Sequence, residues 1–368
     1  MRGLSEAGPG SWGIAGERMN TAKGSAQRLN PLEKPAWDKM VMSHPEASFF
    51  HSASWAEVLR ETYNHSPCYF CAMMGERLSA ALPVMEVNSS LTGRRGVSLP
   101  FADECALLSD GSAPAKGVFQ NAIAFGRSRK WKYLECRGAR KLAAEAASPS
   151  LSFFGHVLPL SDREDRIFSR LDESVRRGIR KAEKSEVRVE ISESFDSLLI
   201  YYALHCKSRK RHGLPPQSVG FFQGIFQHVL SKGMGFIVVA RCRDNPVSAA
   251  MFFHFSDKAI YKFGASDWVF QNLRGNNLVM WEAIKWCRRS GYASLYFGRT
   301  SIANDGLRRF KLGFGTEEYQ IDYIRYDFRK EAFVVNRDMV SGWYNRIFHL
   351  MPIPVSRILG RLLYRHLS

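Results

Sequence analysis

The chain has 368 residues, 45% hydrophobic and 24% charged, the balance of a folded protein and enough length for two domains that each bury a core. No stretch is apolar for the roughly 20 residues that cross a bilayer as a helix. Lysine and arginine outnumber aspartate and glutamate by 52 to 35, a net charge of +17. Such an excess either keeps a solvated surface dispersed or attracts nucleic acid, an anionic membrane surface or phosphate-bearing substrates.

Residues 1–35, rich in Gly, Ser and Ala and without the apolar core of a signal peptide, are predicted to be a disordered leader, with a cytoplasmic location. Ser52–Tyr63 then reads as a helix opened by a serine cap. Apolar, β-rich runs follow at Cys68–Met74, Leu78–Asn88 and Arg95–Leu99, then a helix at Ala115–Lys130 and a strand at Lys132–Arg137. The Ala- and Ser-rich stretch Ala143–Ser152 marks a boundary, after which Phe153–Leu160 leads into a second unit. Helical segments occupy Asp165–Lys184, Ser194–His212 and Val219–Ser231. Gly235–Cys242, Val247–Phe255 and Ala259–Ala265 read as three consecutive strands. A helix over Asn277–Arg289, closed by Gly291, a strand at Ser294–Phe297, a short helix at Asp305–Leu312 and an alternating strand at Tyr319–Phe328 complete it.

Three strands, helix, strand, helix, strand is the core order of the GNAT acyltransferase fold, and the first half repeats part of it. The predicted fold class is therefore α/β (α+β): two tandem GNAT-like domains at 36–150 and 151–330, with mixed sheets flanked by helices. A basic amphipathic tail follows at 331–368, in which Arg346, Arg357, Arg361 and Arg365 mix with apolar residues. That tail either lies on the inner membrane face as a peripheral contact or packs back on the body. Among the seven cysteines only Cys68 and Cys71 are paired by spacing. Zinc would need a second pair or matching histidines, so buried inert thiols, and no metal, are expected.

Six segments carry a resemblance to a known family: RRGIRKAEK (Arg176–Lys184), RHGLPP (Arg211–Pro216), YKFGASD (Tyr261–Asp267), NNLVMWEAIKW (Asn276–Trp286), YFGRTS (Tyr296–Ser301) and GLRRFKLGFGTEE (Gly306–Glu318). In this order and spacing the chain, from Trp37 to Phe328, resembles the Fem aminoacyltransferases within the broader FemAB-like group. The resemblance implies transfer of an aminoacyl group from aminoacyl-tRNA to an amine on a peptidoglycan precursor. Some members instead accompany exopolysaccharide export. Where relatives carry a glycine pair after the first lobe's S-x-P-F run, this chain has Ala102, Asp103, Glu104 and Cys105, which points to a different acceptor. The long helical hairpin with which several Fem proteins grip tRNA is not in the sequence.

Acyl transfer to an amine needs a held donor, a neutral nucleophile and positive charge for the oxyanion. Lys311, which the resemblance also marks, is the first candidate for that charge; a solvated lysine is the alternative. Arg299, at the C-terminal end of a strand, either clamps a phosphate or pairs with Asp305 or Glu317. Asn277 opens a helix where GNAT enzymes hold the coenzyme A pyrophosphate, yet its loop keeps only Gly275 of the usual pattern, and Asn277 could equally be a helix cap. Arg211 and His212, Tyr261 and Asp267, and Glu282 are candidates for substrate binding, Glu282 with a structural pairing as its alternative. The basic runs Arg176–Lys184 and Lys207–Arg211 suit tRNA or a lipid phosphate.

The expectation is an acyltransferase with no tightly bound cofactor. Its donor would be aminoacyl-tRNA or acyl-CoA, and its acceptor a phosphate-bearing envelope precursor. The competitors are an acetyl-CoA-dependent N-acetyltransferase acting on a sugar or peptide, and a non-catalytic anion-binding scaffold at the membrane.

Overall fold

The computed structural model describes residues 26–138, 142, 148–335 and 344–367. The first lobe comprises β1 (Ala26–Leu29), α1 (Trp37–Met42), α2 (Ala53–Tyr63), β2 (Ser66–Pro67), β3 (Tyr69–Met74), β4 (Arg77–Leu82), β5 (Met85–Ser89), β6 (Gly93–Val97), β7 (Leu108–Ser109), α3 (Ser112–Ser128) and β8 (Tyr133–Arg137). The Ser52 side chain caps α2 by accepting from the Trp55 amide, and Asn64 in the left-handed conformation ends it. The predicted strand Leu78–Asn88 divides into β4 and β5 about Pro83, which has no amide hydrogen to give to a ladder. The expected leader is shortened. Residues 26–29 form β1, which pairs antiparallel with β3, and Asn30 caps a short turn at Pro31–Glu33. Residues 1–25, and residues 143–147 of the expected boundary, lie outside the described residues.

The second lobe runs through β9 (Leu151–Pro159), α4 (Glu164–Arg170), α5 (Glu173–Lys184), β10 (Val187–Ser192), α6 (Phe195–Arg211), α7 (Val219–His228), β11 (Gly235–Cys242), β12 (Asn245–Phe255) and β13 (Lys258–Ser266). It continues with α8 (Gly275–Arg289), β14 (Ser294–Tyr296), β15 (Thr300–Ser301), α9 (Asp305–Leu312), β16 (Glu317–Asp327) and β17 (Ala332–Phe333). The tail holds α10 (Tyr344–Leu350) and α11 (Ile353–Leu363).

A four-stranded sheet, β1-β3-β4-β7, belongs to the first lobe alone. The larger sheet crosses both lobes in the order β10-β11-β12-β13-β14-β9-β16-β8-β6-β5-β2. Strand β16 joins them: it pairs with β9 over Glu317–Tyr323 and with β8 over Tyr323–Asp327. The core is correspondingly shared. Trp55, Phe49 and Phe50 of the first lobe pack edge-on against each other and against Phe253 and Phe221 of the second. Each such buried aromatic contributes about 1.5–3 kcal/mol relative to exposure, so the interface is as apolar as a domain interior. The other face of β11–β13 is covered by α5 and α8. The tail packs back on the body through Tyr364, which is 7% exposed and accepts from Arg209.

Candidate active site

Strands β13 and β14 run parallel and pair only between Lys258–Ile260 and Ser294–Tyr296. Beyond that point they part, because the chain after β14 turns through Gly298 and joins β9 by way of β15. A bulge in β13 sits at the parting. Met251 pairs with Phe263 and Phe252 with Tyr261, so Lys262 is the extra residue. A bulge re-aims the residue it adds, and here the Lys262 ammonium meets Asp103 Oδ2 of the first lobe at 3.0 Å. Burial lowers the lysine below its ordinary pKa, with Asp103 opposing. Gly298 has φ +67°, and a Cβ there would lie 2.9 Å from Asp103 Oδ2. Glycine is needed twice at that position, for the backbone angle and for the close approach of the carboxylate.

Two further cations complete the cluster. Asn304 caps α9 by accepting from the Leu307 amide, and Lys311 in the last turn is 2% exposed. Its Nζ donates to the carbonyls of Gly298 and Arg299, both at 2.9 Å. Burial lowers the Lys311 ammonium to about 8; Asp103 opposes, while Lys262 and Arg299 push the same way. Arg299 Nη1 donates to the Tyr323 hydroxyl at 2.8 Å, and its guanidinium lies 4.4 Å from the Phe153 ring centre. That is its partner rather than Asp305 or Glu317. Tyr323 in turn donates to the Asp103 carbonyl. The Asp103 segment rests on a buried base: Arg137 donates to the carbonyls of Leu99 and Ala102 and pairs with Glu135 at 3.0 Å. Burial would raise Glu135, but Arg137 and Arg325 outweigh it and hold the carboxyl below its usual range.

The cluster opens onto a cavity of about 1030 Å³ between the lobes, lined by Asp103, Glu104, Gly298, Tyr296 and Tyr319 among others. Glu104 accepts a hydrogen bond from the Tyr319 hydroxyl at 2.9 Å. Burial raises the Glu104 carboxyl above its ordinary pKa, with Asp103 and Glu46 adding to this and the Tyr319 bond opposing. The Tyr319 ring lies flat against the backbone of β9, where a Cβ on Gly155 would come within 2.4 Å of it. A carboxyl that holds its proton above the usual range, facing a cavity beside three cations, has the properties of a proton acceptor next to an oxyanion site.

The geometry brings Lys311 and Arg299 together at this cavity and leaves the remaining sequence candidates elsewhere. Tyr261 lies on the opposite face of β13, packed against Phe252 and Phe297, and burial pushes its hydroxyl up to about 12. Asp267 takes the Val269 amide at the start of the turn after β13 and pairs with Lys207 at 2.6 Å. The Arg211 guanidinium stacks on Trp268, 3.4 Å from its ring centre. His212 closes α6; burial, then the neighbouring Arg211, lowers its ring below the usual range. Asn277 packs against Gly178 of α5, and Glu282 pairs with Lys285 at 2.7 Å. The neighbouring Asn276 donates to Ser266 and accepts from Ser248 at the head of α8. Sequence reasoning missed Lys262, Tyr319, Tyr323 and Gly155, and it noticed Asp103 and Glu104 only as a departure from a pattern.

Among the described residues one group has metal-like spacing, Glu57, Glu61 and His228. Ion pairs between His228 and both carboxylates, and from Lys232 to Glu57, account for it. Cys68 and Cys71 are buried, and burial raises their thiols to about 11 and about 12, which leaves them unreactive at neutral pH.

Comparison with known proteins agrees with this geometry. Residues 169–320 match the family model for an acetyltransferase (GNAT) domain. No curated protein sequence matches the chain significantly. Among solved structures, FemX superposes over 83% of this chain and 98% of its own, with a TM-score of 0.66 at 14% identity. A tandem GNAT protein from the clavulanic acid biosynthesis pathway covers 82% of this chain and 98% of its own, with a TM-score of 0.52 at 10% identity. L-PGS from Bacillus licheniformis covers 93% and 98%, with a TM-score of 0.50 at 12% identity. At these identities the likeness is one of fold. The chain therefore carries an acetyltransferase (GNAT) domain at residues 169–320 and has, over most of its length, the two-lobed fold of the FemAB-like acyltransferases.

Proposed function

We propose that the chain is an acyltransferase of FemAB type that moves an acyl or aminoacyl group from acyl-CoA or aminoacyl-tRNA to an amine of a cell-envelope or exopolysaccharide precursor. The observation that carries this reading is the meeting of Lys262, Arg299 and Lys311 with Asp103 and Glu104 of the other lobe, at the parting of two parallel strands. In the proposed reaction the acceptor ammonium gives a proton to the Glu104 carboxylate, and the freed amine attacks the donor carbonyl. The new C–N bond forms as the carbonyl becomes an oxyanion, which faces the cationic side of the cluster. Collapse breaks the bond to the thiol or ribose oxygen, and that leaving group departs with a proton from the amine.

The donor is tested in an extract that forms product. RNase should abolish product if aminoacyl-tRNA is the donor and leave it intact if acyl-CoA is. Wild-type behaviour from both Lys311→Met and Arg299→Ala would instead support a scaffold without chemistry.

A peripheral membrane contact has separate support. Of sixteen exposed large apolar residues among those described, six lie in the tail: Ile347, Leu350, Val355, Ile358, Leu362 and Leu367. Arg346, Arg357, Arg361 and Arg365 accompany them, with no acidic residue between 344 and 367. One side of α11 packs back on the body through Ser356 and Gly360, while the other offers apolar side chains and arginine to an anionic surface. Sedimentation with phosphatidylglycerol-containing vesicles tests it: wild type should pellet, and an Ile358→Glu, Leu362→Glu variant should stay in the supernatant.

A further inference from the structure

The cavity carries the opposite charge to the chain that surrounds it. The protein as a whole is +17, yet Glu46, Asp103, Glu104 and Glu317 line the cavity with Lys258 as its only lysine. Glu318 and Asp322 also border it, but they turn away along β16, Glu318 to Arg308 and Asp322 to Ser152. Lys258 does little to offset the four, since its ammonium donates to the main-chain carbonyls of Pro45 and Ala47. The nearby Lys262 is matched by Asp103.

Register explains why the acids and aromatics share a face. Tyr296 pairs with Val157, and Val157 with Glu317, so Tyr296 and Glu317 flank one residue on the same side of the sheet. Tyr319 follows two residues after Glu317 and therefore rises on that side too, where it meets Glu104. Phe49 and Phe50 border the cavity from the first lobe. Carboxylates set among aromatic faces suit an ammonium group, which is drawn both to the charge and to the ring faces. A phosphate would meet four carboxylates there.

We propose that the part of the acceptor entering this cavity is a cation with more than one ammonium group, of the polyamine or dibasic amino-acid class, and that any phosphate the acceptor carries stays outside. This rests on the acyltransferase reading only in calling the ligand an acceptor. One amine lies against Glu104 at the cluster, and a second is held at the wall that carries Glu46 and Glu317. The cavity, at about 1030 Å³, is at the upper end of small-molecule sites and has room for both.

The test is calorimetric titration of the full chain with spermidine, and separately with phosphoethanolamine, at low salt and without any donor. Spermidine should bind wild type, and a Glu46→Lys, Glu317→Lys variant should bind at least tenfold more weakly with an unchanged thermal melt. Phosphoethanolamine should give no saturable heat. Equal spermidine affinity in wild type and variant, or tighter binding of phosphoethanolamine than of spermidine, would overturn the proposal. A Lys311→Met variant should still bind spermidine, since Lys311 lies behind Gly298. Normal binding by a wild-type protein that transfers no acyl group from either donor would sink the acyltransferase reading and leave the cationic site standing.

Discussion

Two places on strand β13 drew attention from the sequence as sites for anions, and they are built on opposite plans. At the bulge, cations from separate elements converge on residues of the other lobe: Lys262 on Asp103, Arg299 on Tyr323, Lys311 on the Gly298 and Arg299 carbonyls. At the C-terminal end each polar group is satisfied by a near neighbour. Asp267 takes Lys207, Arg211 lies on Trp268, and Asn276 binds Ser248 and Ser266. The first arrangement holds charge in a buried place at the cost of its desolvation, which is worthwhile where charge must act on a substrate. The second holds polar groups cheaply at a surface. Burial with partners from distant parts of the chain separates a working charge from a decorative one better than residue type does.

The sharpest test of that contrast is Glu104→Gln, which should cut acyl transfer by about 10²–10⁴-fold if Glu104 accepts the proton. The pH profile adds a second readout. Wild-type transfer should fall as pH drops through the raised Glu104 value, and the variant should lose this limb. Folded Glu104 also holds its proton more tightly than the unfolded chain does. Its contribution to stability therefore declines as pH rises from the ordinary carboxylate range to that raised value, and the variant should lack the slope in denaturation followed against pH. Next in size is Arg137→Met, which strands Glu135 in the interior. It should lower unfolding free energy by about 3–5 kcal/mol in urea titration.

Lys311→Met should reduce transfer by about 10²–10³-fold, the loss expected for one oxyanion partner. The gap between it and Arg211→Ala measures the contrast directly. Gly155→Ala should cost about 1–3 kcal/mol by thermal melting, because the added methyl meets a Tyr319 ring already pinned by Glu104. Arg211→Ala should cost only about 0.5–1 kcal/mol, the worth of an exposed cation on a ring, and leave transfer rates near wild type. A large loss of transfer from Arg211→Ala would break the comparison.

Much of the second lobe was legible because its cues are local. Gly235–Cys242 and Asp305–Leu312 were read with the bounds they have, and the helix Asn277–Arg289 begins two residues earlier at Gly275. Lys311 was legible from its motif. What stayed hidden depends on contacts between residues far apart in sequence. Nothing in LSFFGHVLP announces that it inserts between β14 and β16. The run AIYKFGA alternates well enough that the bulge at Lys262 leaves no trace in it. The strand AQRL looked like part of a leader because its pairing partner β3 lies some forty residues away. Asp103 and Glu104 were visible as residues that break a pattern, but their role depends on the lobe they face.

Strand β16 gives one end of its length to each lobe, and this fixes how the enzyme can be handled and how it can move. A clamp that opens by swinging its halves apart would have to tear a backbone ladder. Access to the slot must therefore come from rearranging loops around a frame whose width is set when the chain folds. For the same reason neither half should survive excision, since the cut would strip a strand from the middle of a sheet and leave two raw edges prone to aggregate.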